Sequence, residues 1–300
     1  MPKIFDIHTH FNVETTKVAE DSATLGFTVI NRSMDEHLEA KARLGIDFSL
    51  ISNPTQKYLD DESACAEYCR MVNNTGAEIR DENSDKIAFA ASLPLPFVDA
   101  ALEELDRAWN ELGASAVLLS TNYNGMYMGD EALAPLFDRL NKYNCPILLH
   151  PTAPPEFPRQ PITGQILPMF EFIADTTRTV IDMIAAEVFL KNPNLKVVVP
   201  HTGACLPTAI DRAMNVLRMV GKNNEFPKDQ LYFDLACDAF PNAVKILLNI
   251  TDVKHIMYGT DYPAMPVAVL EEHQKNAGEF FMNDMEDVFW NTATTVFAKK

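Results

Sequence analysis

The chain is predicted to fold as an α/β protein closed into a (β/α)8 barrel of the TIM type, and three observations predict it. Strand-length apolar runs alternate with amphipathic helical patterns from end to end, and eight such pairs can be counted. The strand runs are apolar throughout, as parallel strands covered by helices require. Barrels of this type take about 250 residues, so a chain of 300 residues makes a single domain, 1–300, with modest loop insertions. An open doubly wound sheet is the other architecture this pattern allows. Against it, the first strand runs into His8-Thr9-His10 and offers no glycine-rich phosphate loop.

The first strand covers Ile4 to His10. The polar loop after it, about 25 residues, is too long for a plain connector and is read as a lid or short insertion. A helix from Asp35 to Leu44, capped by Ser33, leads to a strand from Asp47 to Ser52. Helices at Asp61 to Ile79 and Val98 to Leu112 precede strands at Ile87 to Leu93 and Ala116 to Ser120. Asp130 to Tyr143 is helical in pattern, and Cys145 to His150 is strand five. One long helix from Met169 to Leu190 runs into Asn192-Pro193-Asn194, with strand six at Lys196 to Pro200. The remainder reads as a helix (Pro207 to Val220), strand seven (Leu231 to Ala236), a helix (Asn242 to Ile250), strand eight (His255 to Tyr258) and a closing helix (Met285 to Phe297).

Composition narrows the partners. With 25 Lys and Arg against 42 Asp and Glu, the net charge of −17 repels polyanions, so neither nucleic acid nor an anionic membrane surface is expected to bind. An acidic substrate would need arginines placed locally against that background. Five cysteines, an odd number thinly spread, argue against a disulfide framework and for a reducing compartment. Cys65 and Cys69 are one helical turn apart, but without a second pair they read as helix residues. No charged-then-apolar leader and no membrane-length apolar run is present, so a cytoplasmic location is expected.

The polar candidates share one position, the C-terminal ends of strands, where such a barrel carries its active site. His8 and His10 alternate along strand one and so emerge on one face. Strand five ends in His150, strand six is followed by His201, and strand eight leads into Asp261. Neutral imidazole is the commonest nitrogen ligand for zinc and its neighbours. Singly, each histidine could be a hydrogen-bonded strand terminus and Asp261 a helix cap. Together, five such groups at equivalent strand ends point to one metal centre. His37, His255 and His273 fall elsewhere and are read as structural.

These residues resemble the amidohydrolase superfamily, and within it the branch typified by aminocarboxymuconate-semialdehyde decarboxylase and the non-oxidative aromatic acid decarboxylases. The resemblance spans nearly the whole chain. It rests on Phe5-Asp6-Ile7-His8-Thr9-His10, Asn124-Gly125, Leu148-Leu149-His150-Pro151, the segment from Phe189 to His201-Thr202-Gly203, and Tyr258-Gly259-Thr260-Asp261-Tyr262-Pro263. It implies a metal-dependent hydrolase type of barrel, metal ligands at His8, His10, His150 and Asp261, and acid/base work by His201 with Asp261. It also places Arg212 at the position of an arginine that grips a substrate carboxylate and can come from the neighbouring subunit of a homodimer. The divalent ion is expected to be zinc, with manganese the other choice. Strand four carries no lysine to bridge two ions, so a single ion is expected. Ala204 stands where some aromatic acid decarboxylases have glutamate, so their substrate is not carried over. In the loop after strand one, Asn12 and Glu14 match nothing, and Arg32 is a second carboxylate anchor by charge and location alone.

The expected chemistry is therefore loss of carbon dioxide from a small unsaturated or aromatic carboxylic acid, with Tyr123, Phe172 and Phe240 as walls for a flat substrate. Core packing is the alternative for at least one of those rings. The same apparatus can hydrolyse a lactone, ester or amide, and a non-catalytic metal-binding barrel is the third reading. Cys205 and Cys237 follow strands six and seven and are read as small packing residues, four better ligands being already assigned.

Overall fold

The computed structural model describes residues 2–13, 30–157, 159–222, 224–237 and 239–297. Eight parallel strands stand side by side in chain order: β1 (Phe5–His10), β2 (Phe48–Ser52), β3 (Ile87–Ser92), β4 (Ala116–Ser120), β5 (Ile147–His150), β6 (Val197–Val199), β7 (Leu231–Asp234) and β8 (Ile256–Met257). The ring closes through the segment following β8. There the Ile7 amide donates to the Tyr258 carbonyl (3.1 Å), the Asp261 amide to the His8 carbonyl (2.8 Å) and the His10 amide to the Tyr262 carbonyl (2.8 Å). The buried Asp6 carboxylate locks this seam by accepting from the Thr260 hydroxyl at 2.6 Å and the Thr260 amide at 3.1 Å. Burial pushes its pKa up to about 6 against those hydrogen bonds. The two most distinctive runs of the sequence are thus the two edges of one seam.

The covering helices are α1 (Met34–Arg43), α2 (Glu62–Glu82), α3 (Val98–Asn110), α4 (Ala134–Tyr143), α5 (Glu171–Ala185), α6 (Leu206–Met219), α7 (Ala243–Leu247), α8 (Val267–Phe280) and α9 (Thr292–Phe297), with a further helical turn at Val188–Lys191. Ser33 caps α1 in a reciprocal box with Glu36, as its position before the apolar periodicity suggests. Two expectations change. The long helix from Met169 to Leu190 is split, because Glu187 is left-handed (φ 63°) and no helix continues through that conformation. The segment after β8 contains α8, unforeseen because Pro266 supplies no side-chain cap and the buried face is Leu270, His273 and Ala277. The closing helix, which starts at Met285 as expected, passes through a π-helical turn at Asp287–Asn291. Residues 14–29, most of the expected lid or insertion and including Glu14, lie outside the described residues. No helix among the described residues is long and apolar enough to cross a membrane.

Two apolar layers follow from strand alternation. Phe5, Ile7, Leu50, Ala90, Leu118, Leu148, Val198 and Met257 form one cluster, which continues into Val296 and Phe297 of α9. Their neighbours Ile51, Phe89, Val117, Leu119, Leu149 and Val199 pack outward with Val72, Leu105, Leu140, Val180 and Ile210 of the helices. Two residues beyond the inner apolar layer the same face turns polar at Ser52, Ser92, Ser120, His150 and Asp234, all at strand C-termini. Strict alternation would send His8 outward if Ile7 points inward. A register shift between Asp6 and Thr9 removes the conflict, and Ile7 and His8 both line one small cavity with His150 and Asp234.

Candidate metal centre

Each of the three strand-end histidines has its Nδ1 occupied. His8 Nδ1 lies 2.7 Å from Asp234 Oδ2, His10 Nδ1 3.1 Å from Ser52 Oγ, and His150 Nδ1 2.9 Å from the Pro151 carbonyl. A carbonyl or carboxylate accepts only, so His8 and His150 must donate from Nδ1, which leaves Nε2 as the nitrogen that can meet an ion. The donor atoms of His8, His10, His150 and Asp261 all lie within 4.8 Å of one another. His8 Nε2 is shut off from solvent without a hydrogen-bond partner among the described residues. A sheltered polar nitrogen of this kind is costly unless a partner meets it, and an ion that displaces its proton is such a partner. Three imidazoles and a carboxylate are the donor set of a divalent transition ion, so the residues present fit one.

The electrostatics agree with that fit. Burial, and then the neighbouring His10 and His8, hold His150 well below the usual imidazole range. Burial likewise lowers His10. Burial acts the same way on His8, but the Asp234 carboxylate, helped by Asp261 and Asp6, outweighs it and pushes the pKa up to about 9. Asp261 is held well below the carboxylate range: burial raises it, and the hydrogen bond with His10 (3.1 Å) and the nearby histidines more than compensate. Two neutral imidazoles, one basic imidazole and an ionised carboxylate make a pocket prepared for positive charge.

Asp234 was not singled out from the sequence. Its Oδ2 orients His8, while its Oδ1 accepts the His201 amide (2.9 Å) and the Ala236 amide (3.0 Å), so one carboxylate sets both a ligand and the neighbouring histidine. The signal was an acid closing the run Leu231-Tyr232-Phe233. His201 brings Nε2 to 3.8 Å from Asp261 Oδ2, again without a hydrogen-bond partner among the described residues.

The remaining candidates are less tightly gathered. Tyr123 is buried, its hydroxyl accepting the Ser120 amide (3.1 Å), and it lines a pocket with Asn53, Ser92 and Ser120 at the ends of β2 to β4. It belongs to a hairpin (Asn122–Tyr123 with Met126–Tyr127) whose turn, Asn124-Gly125, has positive φ at both residues, a signal present in the sequence. Phe172 is half-buried on α5. Phe240 is half-buried and meets the rings of His273 (5.5 Å) and Phe280 (5.7 Å) on α8 in tilted contacts. Arg212 is exposed on α6, and Arg32 pairs with Glu36 at 3.0 Å. Cys237 is not simple packing: its thiol donates to Asp261 Oδ2 at 3.2 Å.

A family model described as amidohydrolase matches residues 5–299. Among curated proteins, decarboxylase macB of Penicillium terrestre is 30% identical over 258 residues, covering 78% of this chain and 75% of its own. The 6-methylsalicylic acid decarboxylase acuB of Aspergillus aculeatus is 29% identical over 281 residues, 87% of this chain and 84% of its own. Among solved structures, dihydroxybenzoic acid decarboxylase from Polaromonas sp. JS666, with bound manganese and the inhibitor 2-nitroresorcinol, superposes with a TM-score of 0.82 at 18% identity, over 99% of this chain and 97% of that one.

Proposed function

Because the chain belongs to the amidohydrolase family, which its sequence matches from residue 5 to 299, we propose that it is a metal-dependent, non-oxidative carboxy-lyase acting on a small aromatic or unsaturated carboxylic acid. The observation that carries this reading is the convergence of three imidazoles and Asp261 beside His201, in a chain whose relatives are named as decarboxylases. His8, His10, His150 and Asp261 would hold one divalent ion, zinc or manganese. Bound there, the ion supplies positive charge that polarises a substrate oxygen.

The rest is the work of side chains. His201, whose Nε2 faces the shared Asp261 carboxylate, protonates the carbon that bears the departing carboxylate. The bond to that carboxylate then breaks, carbon dioxide leaves, and the electron pair restores the unsaturated system. One proton is consumed and no oxidant is needed. Tyr123 and Phe172 supply walls for the flat acid. Arg212, exposed on a helix that also shows Val216, Met219 and Val220 to solvent, binds the carboxylate of a substrate in the neighbouring subunit of a homodimer.

The test is carbon dioxide evolution from a panel of hydroxybenzoates and enal acids, set beside ring opening of lactones. Gas with the matching decarboxylated product is expected, and ring opening without gas would overturn the assignment. His201→Asn should keep its metal while turnover falls about a hundredfold or more. Arg212→Ala should act mainly on KM.

A further inference from the structure

The two oxygens of Asp261 face different neighbours. Oδ1 lies 3.1 Å from His10 Nε2 and 3.5 Å from His8 Nε2, whereas Oδ2 lies 3.2 Å from Cys237 Sγ and 3.8 Å from His201 Nε2. The donor atoms of His201, Cys237 and Asp261 all fall within 4.8 Å of one another, as do those of the first donor set. We propose that these three residues form a second, thiol-bearing cation site that shares Asp261 with the first as a bridging carboxylate.

The donor types define its ligand. Thiolate, imidazole and carboxylate together suit zinc or the softer cadmium, and a thiolate is a poor partner for magnesium or calcium. One oxygen of a shared carboxylate for each ion is compatible with the separation of about 3.5–4 Å found in paired metal sites. Local backbone geometry serves the same cluster. His201, Cys237 and Asp261 all adopt left-handed conformations (φ 54°, 62° and 58°), which non-glycine residues avoid. Tertiary bonds hold two of them there: the His201 amide donates to Asp234 and the Asp261 amide to the His8 carbonyl. The sheltered His201 Nε2 meets no hydrogen-bond partner among the described residues.

Uptake of an ion replaces the thiol proton now donated to Asp261, and that proton leaves to solvent. The ion also engages the imidazole of His201, so the second site is inhibitory. This consequence rests on the proposed role of His201, whereas the site itself rests on geometry.

Protein loaded with one equivalent of cobalt(II) is titrated with a second while its spectrum is followed. The first equivalent should show no thiolate-to-cobalt charge-transfer band, and the second should bring one. Cys237→Ser should bind the first equivalent and lose the band; Cys205→Ser should retain it. A wild-type protein saturated without the band, or a band that survives Cys237→Ser, overturns the second site. In wild type alone, alkylation of Cys237 read by peptide mass should slow with the second equivalent and not with the first; equal rates also overturn it. Turnover should fall about a hundredfold as the second equivalent binds. Failure of the first equivalent to bind would instead sink the proposed catalytic centre, so the two failures are distinguishable.

Discussion

Replacing Asp234 by asparagine probes how the centre is held together. The carboxylate is 2% exposed and makes three contacts, to His8 Nδ1, the His201 amide and the Ala236 amide. An asparagine oxygen can still accept from both amides, but its NH2 then meets His8 Nδ1. Two donors cannot face each other at 2.7 Å, so His8 must move its proton to Nε2 and withdraw the lone pair meant for the ion. Loss of such an orienting partner costs about 10–100-fold in metal affinity, or about 1.4–2.8 kcal/mol. The loss should depend on pH. Wild-type His8 holds its extra proton up to about pH 9, mainly through Asp234 acting against burial, so metal uptake must expel that proton and tightens as pH rises toward 9. Expulsion is costly at neutral pH, and the variant, lacking the carboxylate, is spared much of that cost. The difference between the two proteins should therefore be full above pH 9 and smaller at pH 7. Chelator-buffered titrations at both pH values measure it. Equal affinities above pH 9, or an unchanged pH slope, would refute the role given to Asp234.

Two substitutions test the frame around the centre. A Cβ at Gly259 would sit 2.9 Å from His8 Cβ and 3.4 Å from Asp234 Cβ, so Gly259→Ala should cost about 1–3 kcal/mol and weaken metal binding; an unchanged thermal midpoint with wild-type metal affinity would count against the close packing of the seam. Asp175 is fully buried and accepts from Thr121 Oγ1 (2.6 Å), Asn122 Nδ2 (2.9 Å) and Tyr127 OH (2.6 Å) while pairing with Arg178, tying the hairpin after β4 to α5. Asp175→Ala strips a cluster of donors of its shared acceptor and should lower unfolding free energy by about 3 kcal/mol in denaturant titrations; a loss below about 0.5 kcal/mol would show the network to be dispensable.

The order of strands and helices, the strand ends that carry chemistry and the members of the histidine and aspartate set were legible in the linear pattern. Those features are written in periodicity and in residue type, which are local properties. The helix at Val267–Phe280 escaped because its start lacks a capping side chain and its buried stripe includes a histidine. The break at Glu187 escaped because nothing in the residue announces a left-handed conformation.

What the chain order could not determine is direction. Alternation by itself puts His8 opposite Ile7, and only the register shift between β1 and β2 turns both inward. Asp234 becomes the partner of His8 because closure of the ring brings β7 next but one to β1, although the two residues are 226 apart in sequence. Asp261 reaches both groups of donors because the seam, through its amide bond to the His8 carbonyl, sets its carboxylate between β1 and the segments after β6 and β7. Such choices depend on hydrogen bonds between remote strands, which exist only once the barrel has closed.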